Sequence, residues 1–206
     1  MPEGDVSQGE VSRRDLAVVA RQLGRPPRGV LAVARRCPCG LPDVVQTAPR
    51  LPDGSPFPTL YYLTCPRAAA ALSRLEAAGE MRSMTGRLRT DADLRASYLA
   101  AHQDYLTRRA AAGRAAGLEP LPASAASAGG MPDRVKCLHA LVAHELAVPG
   151  SNPLGREALE AAGPWWADGP CVTDAGLQDE QRDQPGPGRP GDQPGLRRHG
   201  AGRYGG

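Results

Sequence analysis

The chain has 206 residues, 41% of them hydrophobic, and a formal net charge of +3. This length favours a single domain, and no run of about 20 apolar residues is present that could span a membrane. The small net charge does not by itself indicate a nucleic acid as partner.

The start of the chain and its cysteines together suggest a cellular setting. Residues 1–10 are acidic and polar and lack the apolar segment of a signal peptide. We therefore expect a cytoplasmic protein whose thiols stay reduced. In that setting the five cysteines are expected to be metal ligands, redox thiols or core residues before they are disulfides.

The first predicted elements are a helix and three strands. Ser12 and Asp15 have the spacing of a capping box, and Gly24 ends the helix that follows them. Three later segments are rich in β-branched, aliphatic or aromatic residues. They are the predicted strands 29–36, 44–48 and 59–65.

Helices are predicted for most of the remaining chain, at 66–78, 91–112, 132–148 and 153–162. Helix 132–148 should be central, because it is apolar almost all round. The resulting fold class is α+β, with a small three-stranded antiparallel sheet and helices packed on one face.

Both ends of the chain are predicted to lie outside the fold. We expect a flexible N-terminus at 1–11, a single domain at 12–172 and a disordered tail at 173–206. The tail is rich in Gly and Pro and has few aliphatic residues. It cannot bury enough apolar surface to offset a chain entropy of about 1–2 kcal/mol per residue.

Three cysteines are predicted to meet at one edge of the sheet. In an up-down-up meander the first and third strands run in the same direction. Cys37 and Cys65, which end these strands, are therefore about 10 Å apart across two strand spacings. Cys39 lies two residues further on and can reach into that gap. Three thiols in this arrangement form part of a tetrahedral metal site.

Cys137 is the predicted fourth ligand. In a regular helix, Cys137 and His139 would point about 200° apart, and Cys137 and His144 would lie about 10 Å apart along the axis. At most one of the three can then join the site. Cys171 is a second candidate if the chain folds back. The first hypothesis is therefore a structural or regulatory domain that binds zinc or an iron–sulfur cluster.

Other interpretations of the same residues stay open. Cys37 and Cys39 are also compatible with a redox-active pair, and a buried cysteine can serve simply as a small hydrophobic residue. His139 lies on an apolar arc of the predicted helix, which is typical of a hydrogen-bonded core histidine. His102 lies beside the apolar stripe of its own helix, which is typical of a packed helix face.

A second hypothesis concerns the predicted helix start near Pro132. Gly129 and Gly130 precede it, and free N–H groups at a helix N-terminus favour an anion. Arg134 and Lys136 would add positive charge. The alternative function is therefore an enzyme acting on a small anionic substrate, with His102, His139 or Cys137 as proton or nucleophile groups. A plain loop-to-helix hinge explains the same residues without a ligand.

Several short motifs of the chain are distinctive when they are taken together. They are Cys37-Pro38-Cys39-Gly40, Asp53-Gly54-Ser55-Pro56-Phe57-Pro58-Thr59, Tyr62-Leu63-Thr64-Cys65-Pro66, Ala101-His102, Ser127-Ala128-Gly129-Gly130-Met131-Pro132 and Arg134-Val135-Lys136-Cys137-Leu138-His139. With these motifs the chain resembles, over about residues 16–171, the uncharacterised bacterial family numbered 501 among the domains of unknown function. The resemblance implies a bacterial cytoplasmic protein and no particular activity.

Overall fold

The structure, a computed structural model, describes residues 11–122 and 127–173. The predicted flexible N-terminus and the predicted disordered tail lie outside the described residues, except for Val11 and Thr173. Within the described part, no helix is both long enough and apolar enough to cross a membrane.

The first helix, α1 (Arg13–Leu23), begins with the predicted capping box. The Ser12 hydroxyl accepts the Asp15 N–H at 3.0 Å, and the Asp15 carboxylate accepts the Ser12 N–H at 3.4 Å. Two N–H groups that lack partners at a helix start are thereby satisfied. Asp15 also forms an ion pair with Arg36 at 2.7 Å, which ties α1 to the end of the first strand.

The predicted three-stranded antiparallel sheet is confirmed. Its strands are β1 (Val30–Arg36), β2 (Pro42–Thr47) and β3 (Tyr61–Leu63), in the order β1-β2-β3. On β2, Val44 pairs with Leu63. Both are buried in the main core.

Five helices follow the sheet in the described chain. Helix α3 lies in a segment for which no element was predicted, while helix 132–148 proves shorter than predicted. The helices are α2 (Pro66–Ala78), α3 (Glu80–Thr90), α4 (Ala92–Ala115), α5 (Leu138–Ala147) and α6 (Pro153–Ala162).

The prediction that the helix after Pro132 is central is confirmed for α5. This helix packs against β3, α2 and α6, and Leu138, Leu141 and Val142 are fully buried. The main helical layer therefore covers the sheet face that carries Val44. Helix α1 contacts β2 separately.

Helices α5 and α6 approach each other closely at Gly155. A Cβ atom built on this residue would lie 2.3 Å from the carbonyl oxygen of Leu141 and 2.8 Å from its carbonyl carbon. No real side chain tolerates such a contact with backbone atoms. Glycine is therefore required here by space, because it lets two backbones meet.

Candidate metal site at the start of the central helix

The first residue of the site, Cys137, lies just before α5 rather than within it. The predicted helix start at Pro132 is wrong, since the first helical residue is Leu138 and Cys137 is the extended N-cap, with φ −157° and ψ 112°. The preceding segment is held as a loop because the Lys136 N–H donates to Gly129 O at 2.7 Å. Gly129 has a φ of 69°, a left-handed turn conformation that glycine adopts readily.

This loop stands where the predicted anion site required a helix N-terminus. The helix that Gly129 and Gly130 were expected to open begins eight residues after Gly130. The N–H groups of Arg134 and Lys136 are used within the loop, by Gly130 O at 3.2 Å and Gly129 O at 2.7 Å. Anion binding by Gly129, Gly130, Arg134 and Lys136 stays a prediction. The helix N-terminus on which it was based does not lie at these residues.

Cys137 and His139 are close neighbours in the structure. Because Cys137 is extended, its side chain is not turned away from His139 as it would be within a helix. Its Sγ lies 3.8 Å from Nδ1 of His139. The prediction that these two residues cannot share an ion assumed a regular helix through both, and that assumption is wrong.

Glu76 on α2 completes a group of three ligand atoms. Its Oε1 lies 3.1 Å from Nδ1 of His139 and accepts the Leu138 N–H at 2.7 Å. This carboxylate therefore caps the first turn of α5 from another helix. One ligand atom from each of Glu76, Cys137 and His139 lies within 4.8 Å of the others. No other such group of three occurs in residues 11–122 and 127–173.

The hydrogen bonds of His139 fix its orientation. Its Nε2 lies 3.1 Å from Ala69 O, and because a carbonyl oxygen can only accept, Nε2 carries a proton. The Cys137 hydrogen bond and the negative charge of Glu76 raise the pKa of His139 to about 9, and burial opposes this shift. The imidazolium form then donates from both ring nitrogens.

The site is partly open to solvent. The side chains of His139 and Glu76 are 27% and 22% exposed. Cys137 and His139 also line a cavity of about 540 Å³, together with Tyr62 and Thr64 of the sheet. A small molecule could therefore reach the ligand atoms without displacing the core.

The other predicted metal ligands lie in two thiol pairs. Cys37 interacts with Cys39, and burial raises the pKa of Cys37 to about 11. Cys65 interacts with Cys171, and this interaction lowers the pKa of Cys171 to about 6. The chain thus folds back at Cys171, as considered from the sequence.

The structure does not bring Cys37, Cys39, Cys65 and Cys137 together. The described residues contain no group of three ligand atoms among these thiols. The physical reason is that the loop before α5 directs Cys137 toward α2, where its partners are Glu76 and His139. A four-cysteine site stays a prediction that this arrangement does not support.

The remaining histidines of the described chain have separate surroundings. His102 Nδ1 lies 2.9 Å from the Ser127 hydroxyl. His144 is fully buried, lies 3.1 Å from Asp104 and stacks on Tyr61 at 5.9 Å between ring centroids. Burial lowers the pKa of both histidines.

Glu76 is the candidate ligand that the sequence motifs missed. It lies 61 positions before Cys137, in an alanine-rich helix with no recognisable spacing to it. One signal was available, since Glu76 is the only acidic residue of α2.

Fold and site together define a small α+β domain with a mixed carboxylate, thiol and imidazole group at the start of its central helix. The chain belongs to the family described as protein of unknown function (DUF501), whose family model matches residues 33–160. The resemblance noted from the motifs is thereby confirmed. No curated protein and no solved structure shows significant similarity to the chain.

Proposed function

We propose that this protein binds one divalent transition-metal ion through Glu76, Cys137 and His139, and that zinc fits these ligands best. The observation that carries the proposal is the convergence of three ligand atoms within 4.8 Å, offered by two different helices and an extended N-cap. Thiolate, imidazole and carboxylate are the three ligand types that zinc uses in proteins. An iron–sulfur cluster is disfavoured because it requires several thiolates, and this group has one.

Two of the three distances between the ligand atoms agree with tetrahedral zinc. Bonds of about 2.3 Å to sulfur and about 2.0–2.1 Å to nitrogen and oxygen separate a thiolate from an imidazole nitrogen by about 3.6 Å. The same bonds separate that nitrogen from a carboxylate oxygen by about 3.3 Å. The corresponding distances are 3.8 Å between Cys137 Sγ and His139 Nδ1 and 3.1 Å between His139 Nδ1 and Glu76 Oε1.

The partner of His139 Nε2 supports the same conclusion. Metal-binding histidines commonly donate their other ring N–H to a backbone carbonyl or a carboxylate, which fixes the ring and its tautomer. His139 donates from Nε2 to Ala69 O in this way. With that proton fixed, Nδ1 is the nitrogen that can lose its proton and bind an ion.

The same residues also meet part of the geometry of a cysteine–histidine pair. In such a pair one ring nitrogen takes the thiol proton while the other is held by an orienting group. Here Cys137 contacts Nδ1 and Ala69 O holds Nε2. The pair leaves the contact of Glu76 with Nδ1 unexplained, whereas a metal ion uses all three groups.

Three protein ligands leave one tetrahedral position for water or a substrate. Structural zinc sites are usually closed by four protein ligands, whereas catalytic sites keep this position open. The partial exposure of His139 and Glu76 and the cavity beside Cys137 are consistent with an open position. A cytoplasmic setting, as predicted from the sequence, would keep Cys137 reduced and able to bind.

Metal content is the direct test. The full chain is purified, treated with chelator and dialysed against zinc, and bound metal is measured by mass spectrometry. Cobalt(II) is then added, because a thiolate ligand produces a charge-transfer band in the near ultraviolet. We expect about one ion per chain and loss of both signals in Cys137→Ser and His139→Gln.

Two further variants make the result specific. Glu76→Gln can still accept the Leu138 N–H but offers no charge, so it should weaken metal binding while the domain stays folded. Cys39→Ser removes a thiol from the predicted four-cysteine site and should bind metal normally. Metal retained by Cys137→Ser but lost by Cys39→Ser would overturn the proposal in favour of a thiol site at the sheet edge. A wild-type chain that takes up neither ion would refute both.

A further inference from the structure

A second cavity lies on the sheet face opposite the main core. Its volume is about 320 Å³, and Val45 of β2 and Tyr62 of β3 form its floor. These two residues pair across the strands. Because successive side chains of a strand point to opposite faces, Val45 faces away from Val44 and its core. Leu23 at the end of α1 forms one side of the cavity.

The loop between β2 and β3 forms another wall. Phe57, the only phenylalanine of the chain, lines the cavity together with Leu51. The loop is held in shape by its own backbone, since the Phe57 N–H donates to Pro49 O at 2.8 Å and the Leu51 N–H to Ser55 O at 3.0 Å. The apolar walls therefore belong to an ordered structure.

Two arginines lie beside these apolar walls. Arg25 and Arg28 line the cavity, and both are exposed. Neither guanidinium forms a hydrogen bond or an ion pair with any residue that the structure describes. Arg28 has only a longer-range attraction to Asp53, whose pKa is lowered mainly by hydrogen bonds from Ser55.

Other arginines on the same part of the fold are paired. Arg35 forms an ion pair with the buried Asp43, and Arg36 forms one with Asp15. Arg50 donates to backbone carbonyls of the neighbouring loops. The two guanidinium groups at the cavity are thus positive charges whose partner is not supplied by the described chain.

We propose that this cavity binds a small amphipathic anion, with an apolar body in the pocket and a carboxylate or phosphate head on Arg25 and Arg28. The volume falls in the range of small-molecule sites, which are mostly apolar with a few polar groups that fix orientation. Guanidinium groups bind both kinds of oxyanion through paired N–H donors. A neutral apolar ligand would leave both charges unused.

This cavity is adjacent to the candidate metal site. Leu23 and Tyr62 line it and also line the cavity that contains Cys137 and His139. A ligand longer than the cavity beside Phe57 could extend across Tyr62 toward Cys137 and His139. The binding proposal does not depend on a metal, so its test can succeed or fail independently of metal content.

Binding of octanoate to the full chain, followed by calorimetry and by NMR of the backbone amides, tests the proposal. Octyl phosphate is the second arm and distinguishes the two head groups. Octanol and octylammonium are the neutral and cationic controls. We expect octanoate or octyl phosphate to bind at least tenfold more tightly than either control, with shifts at Leu23, Phe57 and Tyr62. Lengthening the acid from hexanoate should increase affinity by roughly fourfold for each buried methylene.

Variants separate the head-group contact from the apolar walls. Arg25→Ala with Arg28→Ala should weaken octanoate binding at least tenfold. Arg74→Ala, which removes an exposed arginine of α2, should not weaken it. Phe57→Ala should weaken octanol and octanoate alike. Equal binding of octanoate and octanol, shifts at another surface, or an unaffected double variant would overturn the proposal. So would a dimer in solution that covers Phe57.

Discussion

Replacing Gly155 with alanine should lower the free energy of unfolding by about 2 kcal/mol. The new Cβ would lie 2.3 Å from Leu141 O and 2.8 Å from the carbonyl carbon of Leu141. Both atoms belong to the backbone of α5, so no side chain can rotate to relieve the contact. Helices α5 and α6 would have to separate, and the packing around the central helix would loosen.

The magnitude follows from two opposing effects. Overpacking of a well-packed core costs about 1–3 kcal/mol, and a rigid backbone contact this short belongs at the upper end of that range. Gly155 is the third residue of α6, and alanine is better than glycine in a helix by at most about 1 kcal/mol, which offsets part of the cost. For a domain of this size a net loss of about 2 kcal/mol corresponds to a melting temperature lower by roughly 4–8 °C.

Gly86→Ala is the matched control. Gly86 lies within α3, is exposed, and has no atom within 4 Å of the position that a Cβ would take. This variant should raise the stability by about 0.5–1 kcal/mol through helix propensity alone. Both variants are measured by thermal and denaturant unfolding followed by circular dichroism. If Gly155→Ala is as stable as the wild type, or changes in the same direction as Gly86→Ala, the close contact does not limit packing.

Two other predictions concern buried polar groups. Tyr105→Phe should lower the free energy of unfolding by about 1–3 kcal/mol, because the buried Leu60 N–H donates to the Tyr105 hydroxyl at 2.6 Å and would lose its partner. An unchanged midpoint of denaturant unfolding would contradict this prediction. Burial holds the pKa of His144 below its ordinary value of 6.5. Its contribution to stability is therefore complete above pH 6.5 and is lost as the pH falls through the folded-state pKa. Denaturant unfolding is measured at several pH values. The free energy of unfolding should fall less on acidification in His144→Phe than in the wild type. An equal pH dependence in the two proteins would refute the argument.

The sheet and the helical layer were predictable because their signals are local. Ser12 and Asp15 form the expected capping box, and alternating residues such as Val44 and Val45 form a strand buried on both faces. Helix α3 was missed because its sequence is mostly polar and contains Gly86, so little apolar periodicity marks it. Its place is fixed by Met84 and Leu88, which reach the core.

The candidate site was only half predictable. Cys137 was chosen from its sequence neighbourhood, but its partners depend on where the helix begins. Pro132 has the appearance of a first-turn proline, and nothing local shows that Lys136 bonds back to Gly129. Glu76 reaches the site only through the packing of α2 against α5. A single sequence does not reveal such a tertiary contact.

The cap that Glu76 provides to α5 also has a consequence for ion selectivity. One of its oxygens accepts the Leu138 N–H, which holds the carboxylate in one orientation. Calcium prefers six to eight oxygen ligands and often a bidentate carboxylate, and magnesium prefers an octahedral oxygen shell. A carboxylate held in this way, next to one sulfur and one nitrogen, offers little to either ion. Discrimination against the two abundant cellular cations would then arise from a helix cap as much as from the thiol.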